Sequence, residues 1–96
     1  MIAGNVGFRD LGDGACEVRR LFVRPKARGQ GIARALMTTL IDEARQAGYR
    51  TVRLETLEAM REAQALYQSL GFVPITAYRP PAGDHDRTVS MQLVLL

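Results

Sequence analysis

Apolar and polar positions alternate along this chain with two different periods, and the points where the period changes mark its elements. Residues 5–11 read as a short strand ended by the turn-forming Gly12-Asp13-Gly14. Residues 16–23 alternate strictly, with Glu17, Arg19, Leu21 and Val23 on one face and Cys16, Val18, Arg20 and Phe22 on the other. Pro25 stops this strand, because proline has no N–H for a sheet ladder. The tight turn between the two strands predicts an antiparallel hairpin. Residues 32–47 take the helical period: Ile32, Leu36, Leu40 and Ala44 recur every four positions, and Ala33, Met37 and Ile41 widen the stripe. Gly48 stands where a left-handed cap belongs. Residues 51–56 alternate again, Val52 and Leu54 against Arg53 and Glu55. Strand, helix, strand predicts a crossover between parallel partners. A second helix is predicted at 59–70, burying Ala63, Leu66, Tyr67 and Leu70 and capped by Gly71. Residues 72–78 and 88–95 form a closing strand pair. The order β-β-α-β-α-β-β predicts an α/β (α+β sandwich) fold with a mixed, mostly antiparallel sheet, in one domain over residues 1–96.

Composition narrows the class. The 96 residues are 47% apolar and 24% charged, ordinary for a soluble domain. No apolar run approaches the ~18 residues of a membrane span. Met1-Ile2-Ala3-Gly4 carries no positively charged leader. Cys16, the single cysteine, cannot close an internal disulfide, and His85, the single histidine, cannot hold a structural zinc alone. No metal and no membrane partner are expected, and the location expected is cytoplasmic.

Charge changes the picture further. The net charge is only +3, but Arg19, Arg20, Arg24, Lys26, Arg28 and Arg34 fall within sixteen residues that hold no Asp or Glu. Such a stretch suits a phosphate-bearing ligand, nucleic acid or an acidic surface. Its bland reading is a solvated strand end with snorkelling arginines. Inside the run, Arg28-Gly29-Gln30-Gly31-Ile32-Ala33 leads into the long helix. A helix start has unpaired amides and partial positive charge, and small residues let a phosphate reach them. The same glycines would also suit a plain flexible loop. A Walker loop is excluded, since no Gly-Lys-Ser/Thr follows. A dinucleotide fingerprint fails too: Arg34 stands where the third glycine belongs, and residues 24–30 separate the loop from the strand.

Arg28-x-x-Gly31-x-Ala33, placed after the strand Glu17-Val18-Arg19-Arg20-Leu21-Phe22-Val23, resembles the acetyl-CoA motif of the GNAT superfamily of N-acetyltransferases. Ala63-Gln64-Ala65-Leu66-Tyr67-Gln68-Ser69-Leu70-Gly71-Phe72 resembles that family's closing helix, with its Leu-Tyr-x-x-Leu-Gly-Phe signature. The two motifs come in the right order with a strand between them, and the resemblance covers nearly the whole chain. It implies an enzyme that moves an acetyl group from acetyl-CoA, as co-substrate, to a primary amine of a small molecule or amino acid, by direct attack in a ternary complex. It also implies that the segment Arg28, Gly29, Gln30, Gly31, Ile32, Ala33 and Arg34 cradles the CoA pyrophosphate, its amides from Gly29 onward facing the phosphates. Leu21, Phe22 and Val23 would run beside the pantetheine arm, between parallel strands that splay apart.

By the same resemblance Tyr67 assists the departing thiolate. A phenol near pKa ~10 is a weaker acid than a thiol near ~8.5, so full proton transfer is uphill by about 2 kcal/mol. Tyr67 therefore either hydrogen-bonds the developing thiolate or has a lowered pKa; otherwise it is a core aromatic. Glu17 matches a strand carboxylate that serves some members as general base. An amine near ~10.4 facing a carboxylate near ~4.3 is a large mismatch. Glu17 would act through a water, with a raised pKa, or by orienting a neutral amine; its alternative is an ion pair with Arg19 or a neighbouring strand's arginine. The Leu21 amide is the expected oxyanion donor. His85 reads as a solvated loop histidine and Cys16 as a buried small hydrophobe. Tyr78, Arg79 and Arg87 flank the last loop, where family members often contact the acceptor.

The chain departs from the family in two places. The usual strand and two helices that wall the acceptor site are missing, so the fold expected is an N-terminally shortened GNAT-like one. Met60 replaces an asparagine that often helps hold CoA. The first departure would expose core surface and a sheet edge, and a homodimer covering that face is expected. Two other readings stay open: a CoA-binding module without turnover, and a nucleic-acid-binding domain using residues 19–34. Phe22 is the only aromatic interleaved in that run, which argues against nucleic acid as a partner.

Overall fold

The alternating and helical stretches fold as five strands and two helices: β1 (Gly4–Gly12), β2 (Ala15–Val23), α1 (Ile32–Gln46), β3 (Thr51–Leu57), α2 (Arg61–Ser69), β4 (Val73–Ile75) and β5 (Thr88–Val94). The computed structural model describes residues 4–23, 31–78 and 87–95, the side chains of 4–6 and 20–23 excepted. The sheet order is β1-β2-β3-β5-β4. β2 and β3, joined by α1, pair in parallel, and every other neighbour is antiparallel. The mixed, mostly antiparallel sheet is therefore as expected, and the crossover through α1 supplies its single parallel pair.

Alternation gives the sheet two unlike faces. Cys16, Val52, Leu54 and Met91 lie on one, and α1 covers them with Met37, Leu40, Ile41 and Ala44 while α2 adds Tyr67. Phe72 and Leu95 complete this core. Burying each large apolar side chain stabilises by roughly 1.5–3 kcal/mol. The other face carries Glu17, Arg53 and Gln92, which are in register across β2, β3 and β5. Both helices pack on the first face.

Two elements differ from the periodicity by more than one residue at an end. α2 begins at Arg61 rather than 59, because Gln64 Nε2 donates to the carbonyls of Leu57 and Glu58, at 3.0 and 2.9 Å, and holds the preceding turn outside the helix. β4 keeps three residues of the seven expected. Phe72 turns into the core ahead of it, and beyond Ile75 the chain leaves the ladder so that Tyr78 reaches across to β2.

Candidate functional site

The parallel pair comes apart. β2 and β3 are in register only at Ala15 with Thr51, Cys16 with Val52 and Glu17 with Arg53. Beyond that point β2 stays with β1, and β3 stays with β5 through Leu57 opposite Thr88. A register shift in the β1–β2 ladder helps to bend β2 away. Asn5 faces Phe22 and Gly7 faces Arg19, so Val6 alone opposes both Arg20 and Leu21. Such a bulge sharpens the local twist and leaves backbone groups out of the ladder. Below the gap lies a cavity of about 320 Å³, walled by Val18 of β2, Leu54 to Leu57 of β3, Met60 and Tyr67 beside α2, and Thr88 of β5.

Tyr67 stands on the helix side of this gap. Its ring tilts against Phe72, 5.9 Å between centroids, and its hydroxyl has no hydrogen-bond partner among the described residues. Burial pushes its phenol pKa upward. Of the two routes open to this tyrosine, that shift runs against a lowered pKa.

Glu17 stands on the opposite face, 3% exposed. Arg19 Nη1 donates to its Oε1 at 3.1 Å, and Tyr78 Oη donates to its Oε2 at 2.6 Å. The pairing with Arg19 is the contact that strand alternation allows between residues two apart. Arg53, from the neighbouring strand, instead lies over the Tyr78 ring, 5.9 Å from its centroid. Tyr78, singled out beside the last loop, thus meets Glu17, a contact that spacing along the chain does not place, since 61 positions separate the two.

At the start of α1, Gly31 is the N-cap with φ 77°, a left-handed conformation that favours glycine. No side chain caps this end, and the first turn holds no acidic residue. A Cβ at Gly31 would project into open space. The first-turn amides of Ile32, Ala33 and Arg34 have no intrahelical acceptors and suit an anion. Arg34 is exposed, and its Nη2 donates to Ser69 Oγ at 2.7 Å, tying α1 to α2. The backbone of Leu21, Phe22 and Val23 runs along the side of β2 released from β3. Arg28, Gly29, Gln30, Arg79 and His85 lie outside the described residues. Cys16 is fully buried in the core, and burial, with Asp10 adding to it, pushes its thiol to about 11. That rules against a nucleophile and agrees with a small core hydrophobe. No metal-binding group of side chains occurs among the described residues, and no helix is long and apolar enough to cross a membrane.

A parallel pair splayed over a cavity, beside an uncapped helix start, is the arrangement expected of the shortened GNAT-like fold, and comparison with known proteins tests that expectation. The profile of the Acetyltransferase (GNAT) family matches residues 2–72. This chain belongs to that family. It is 39% identical over 76 residues to the Escherichia coli N-acetyltransferase YjgM, itself uncharacterised, covering 79% of this chain and 46% of YjgM. The crystal structure of the ribosomal-protein-S18-alanine N-acetyltransferase of Escherichia coli superposes with a TM-score of 0.82 at 30% identity, covering 97% of this chain and 61% of that one. A Salmonella typhimurium structure described as an acetyltransferase with its cofactor acetyl-CoA gives 0.85 at 26%, covering 99% and 59%. Of the first curated relatives it matches, the chain spans between about a third and a half of the length.

Proposed function

We propose that this chain transfers an acetyl group from acetyl-CoA to the primary amine of a small molecule or amino acid, by direct attack of the amine in a ternary complex. The observation that carries this reading is the parting of β2 from β3 over a cavity lined by Tyr67, with Glu17 on the far face. Acetyl-CoA supplies the acyl group as an activated thioester. The residues present fit it: the first-turn amides of α1 face an anion with no competing side-chain cap, and the arginines at 28 and 34 add charge. By their place in the motif, Arg28, Gly29, Gln30, Gly31, Ile32, Ala33 and Arg34 hold the pyrophosphate, and Leu21, Phe22 and Val23 line the arm.

Three jobs follow for the chain's own groups. Glu17 orients the amine or takes its proton through a water, held in place by Arg19 and Tyr78. A backbone amide of the bulge, Leu21, faces the oxygen on which charge develops. Tyr67, neutral because it is buried, donates a hydrogen bond to the leaving sulfur. A second copy of the chain covers the face that carries Glu17, and the protein works in the cytoplasm.

A thermal melt with and without acetyl-CoA tests the reading. Ligand at a hundred times its dissociation constant stabilises by about 2.7 kcal/mol. For a domain this size that is a shift on the order of ten degrees. The shift should accompany acetylation of an amine in a panel of small acceptors. A shift without any turnover would favour a binding module instead. No shift, together with steeply salt-dependent binding of DNA or RNA, would bring forward the nucleic-acid reading.

A further inference from the structure

Glu17 and Arg53 form the last register pair before β2 and β3 separate, and both lie on the face away from the helices. They are opposite charges on neighbouring strands, yet Glu17 takes Arg19 and Tyr78 as its partners. Among the described residues, no carboxylate lies within ion-pair distance of Arg53. Its contacts there are the Tyr78 ring and a long hydrogen bond from Nε to Gln92 Oε1 at 3.4 Å. The residue is half-buried, so its charge is only partly hydrated. A guanidinium in that position presents a planar fork of donors matched to a carboxylate. Further along the same face, Ser90 keeps a buried hydroxyl with no partner among the described residues. Tyr78 couples the two charges, with its hydroxyl on Glu17 and its ring against Arg53.

An anionic group held against a cationic one is the complement of a zwitterion. We propose that the acceptor is an amine that also carries a carboxylate, such as a free α-amino acid, with Arg53 taking the carboxylate while Glu17 faces the amine. This rests on the acetyl-transfer reading and narrows its substrate. An amine without a nearby carboxylate, such as a decarboxylated amino acid or the N-terminus of a peptide, leaves the Arg53 fork unmatched.

Acetylation is measured on phenylalanine, tyrosine and histidine, each against its decarboxylated amine and its amide-linked peptide. The wild type should favour the free amino acids by about ten- to hundredfold in kcat/KM, the range of one charge-assisted contact. Arg53→Met should erase that preference, costing the free amino acids far more, and through KM, than the decarboxylated amines. Arg53→Lys, which keeps the charge without the fork, should restore part of it. Equal rates with and without the carboxylate, or equal loss on both acceptor types, would overturn the proposal. Should no amine be acetylated, the acetyl-transfer reading falls, and a binding arm still decides the site. In CoA-saturated protein the Arg53 Nε–H resonance should move with the amino acids and not with the decarboxylated amines; a resonance that ignores both removes the site.

Discussion

Tyr67 and Cys16 both sit in the core with acidic protons that burial holds in place, but only one of them faces the cavity. The Tyr67 hydroxyl has no described partner, so Tyr67→Phe should change stability by no more than about 0.5 kcal/mol. If the hydroxyl bonds the leaving sulfur, kcat should fall by about ten- to hundredfold with KM for acetyl-CoA nearly unchanged. Steady-state kinetics on a variant of unaltered melting temperature checks both halves. Cys16 predicts a pH effect. Its thiol titrates at about 11 in the fold against 9.0 unperturbed, so the unfolded chain loses this proton first as pH rises. The stabilising contribution is complete below about pH 9 and is lost between 9 and 11. Denaturant unfolding of the wild type should weaken across that window, and Cys16→Ala should weaken less. Parallel curves for the two proteins would contradict the assignment. Tyr67 titrates in the same direction in both, whereas Tyr49 is raised by burial, by Asp10 and by Cys16, so the difference reads the thiol together with its coupling to Tyr49.

At the scale of elements, the two helices depend on their glycine ends in different ways. Gly71, just past α2, has φ 103°, and a Cβ there would meet Leu93 Cδ1 at 3.1 Å. Gly31, before α1, has φ 77° and open space around it. Gly71→Ala should therefore cost about 1–2 kcal/mol, through strain and a displaced leucine, and Gly31→Ala about 1 kcal/mol through backbone strain alone. The functional ranking reverses. Gly31→Ala should shrink the acetyl-CoA melting shift, because its methyl fills the space a phosphate would approach, whereas Gly71→Ala should lower both melts together. The helix stripes and the closing glycines Gly48 and Gly71, both left-handed, were legible from spacing, whereas Gly31 as the N-cap of α1 was not. The late start of α2 was not, because it depends on Gln64 reaching back to two carbonyls.

For the molecule as a whole, the asymmetry of the sheet matters most. Both helices share one face, while Glu17, Arg53 and Gln92 lie on the other. Val73 and Val94, on strands of that sheet, are more than half exposed. If a second copy covers the open face, light scattering at micromolar concentration should give a dimer; a clean monomer would contradict it. Glu17→Gln should leave that assembly intact and lower kcat, since it keeps the shape of the group and removes its charge. The arginine run divides at this scale: Arg19 pairs with Glu17 on the open face, and Arg34 stands in the first turn of α1.

What the sequence alone determined is what neighbours within a few positions enforce. The two periods follow from helix and strand geometry, glycine is placed by backbone sterics, and two short motifs mark the family. The single parallel pair followed from the crossover rule. The tertiary structure decided where that pair ends, because the parting of β2 from β3 reflects competition among three ladders and a bulge. It also decided that Tyr78 rests on Glu17 and that Arg53 lies over the Tyr78 ring. Those contacts join residues tens of positions apart, and no local period encodes them; they exist only once the sheet has set which strands lie side by side.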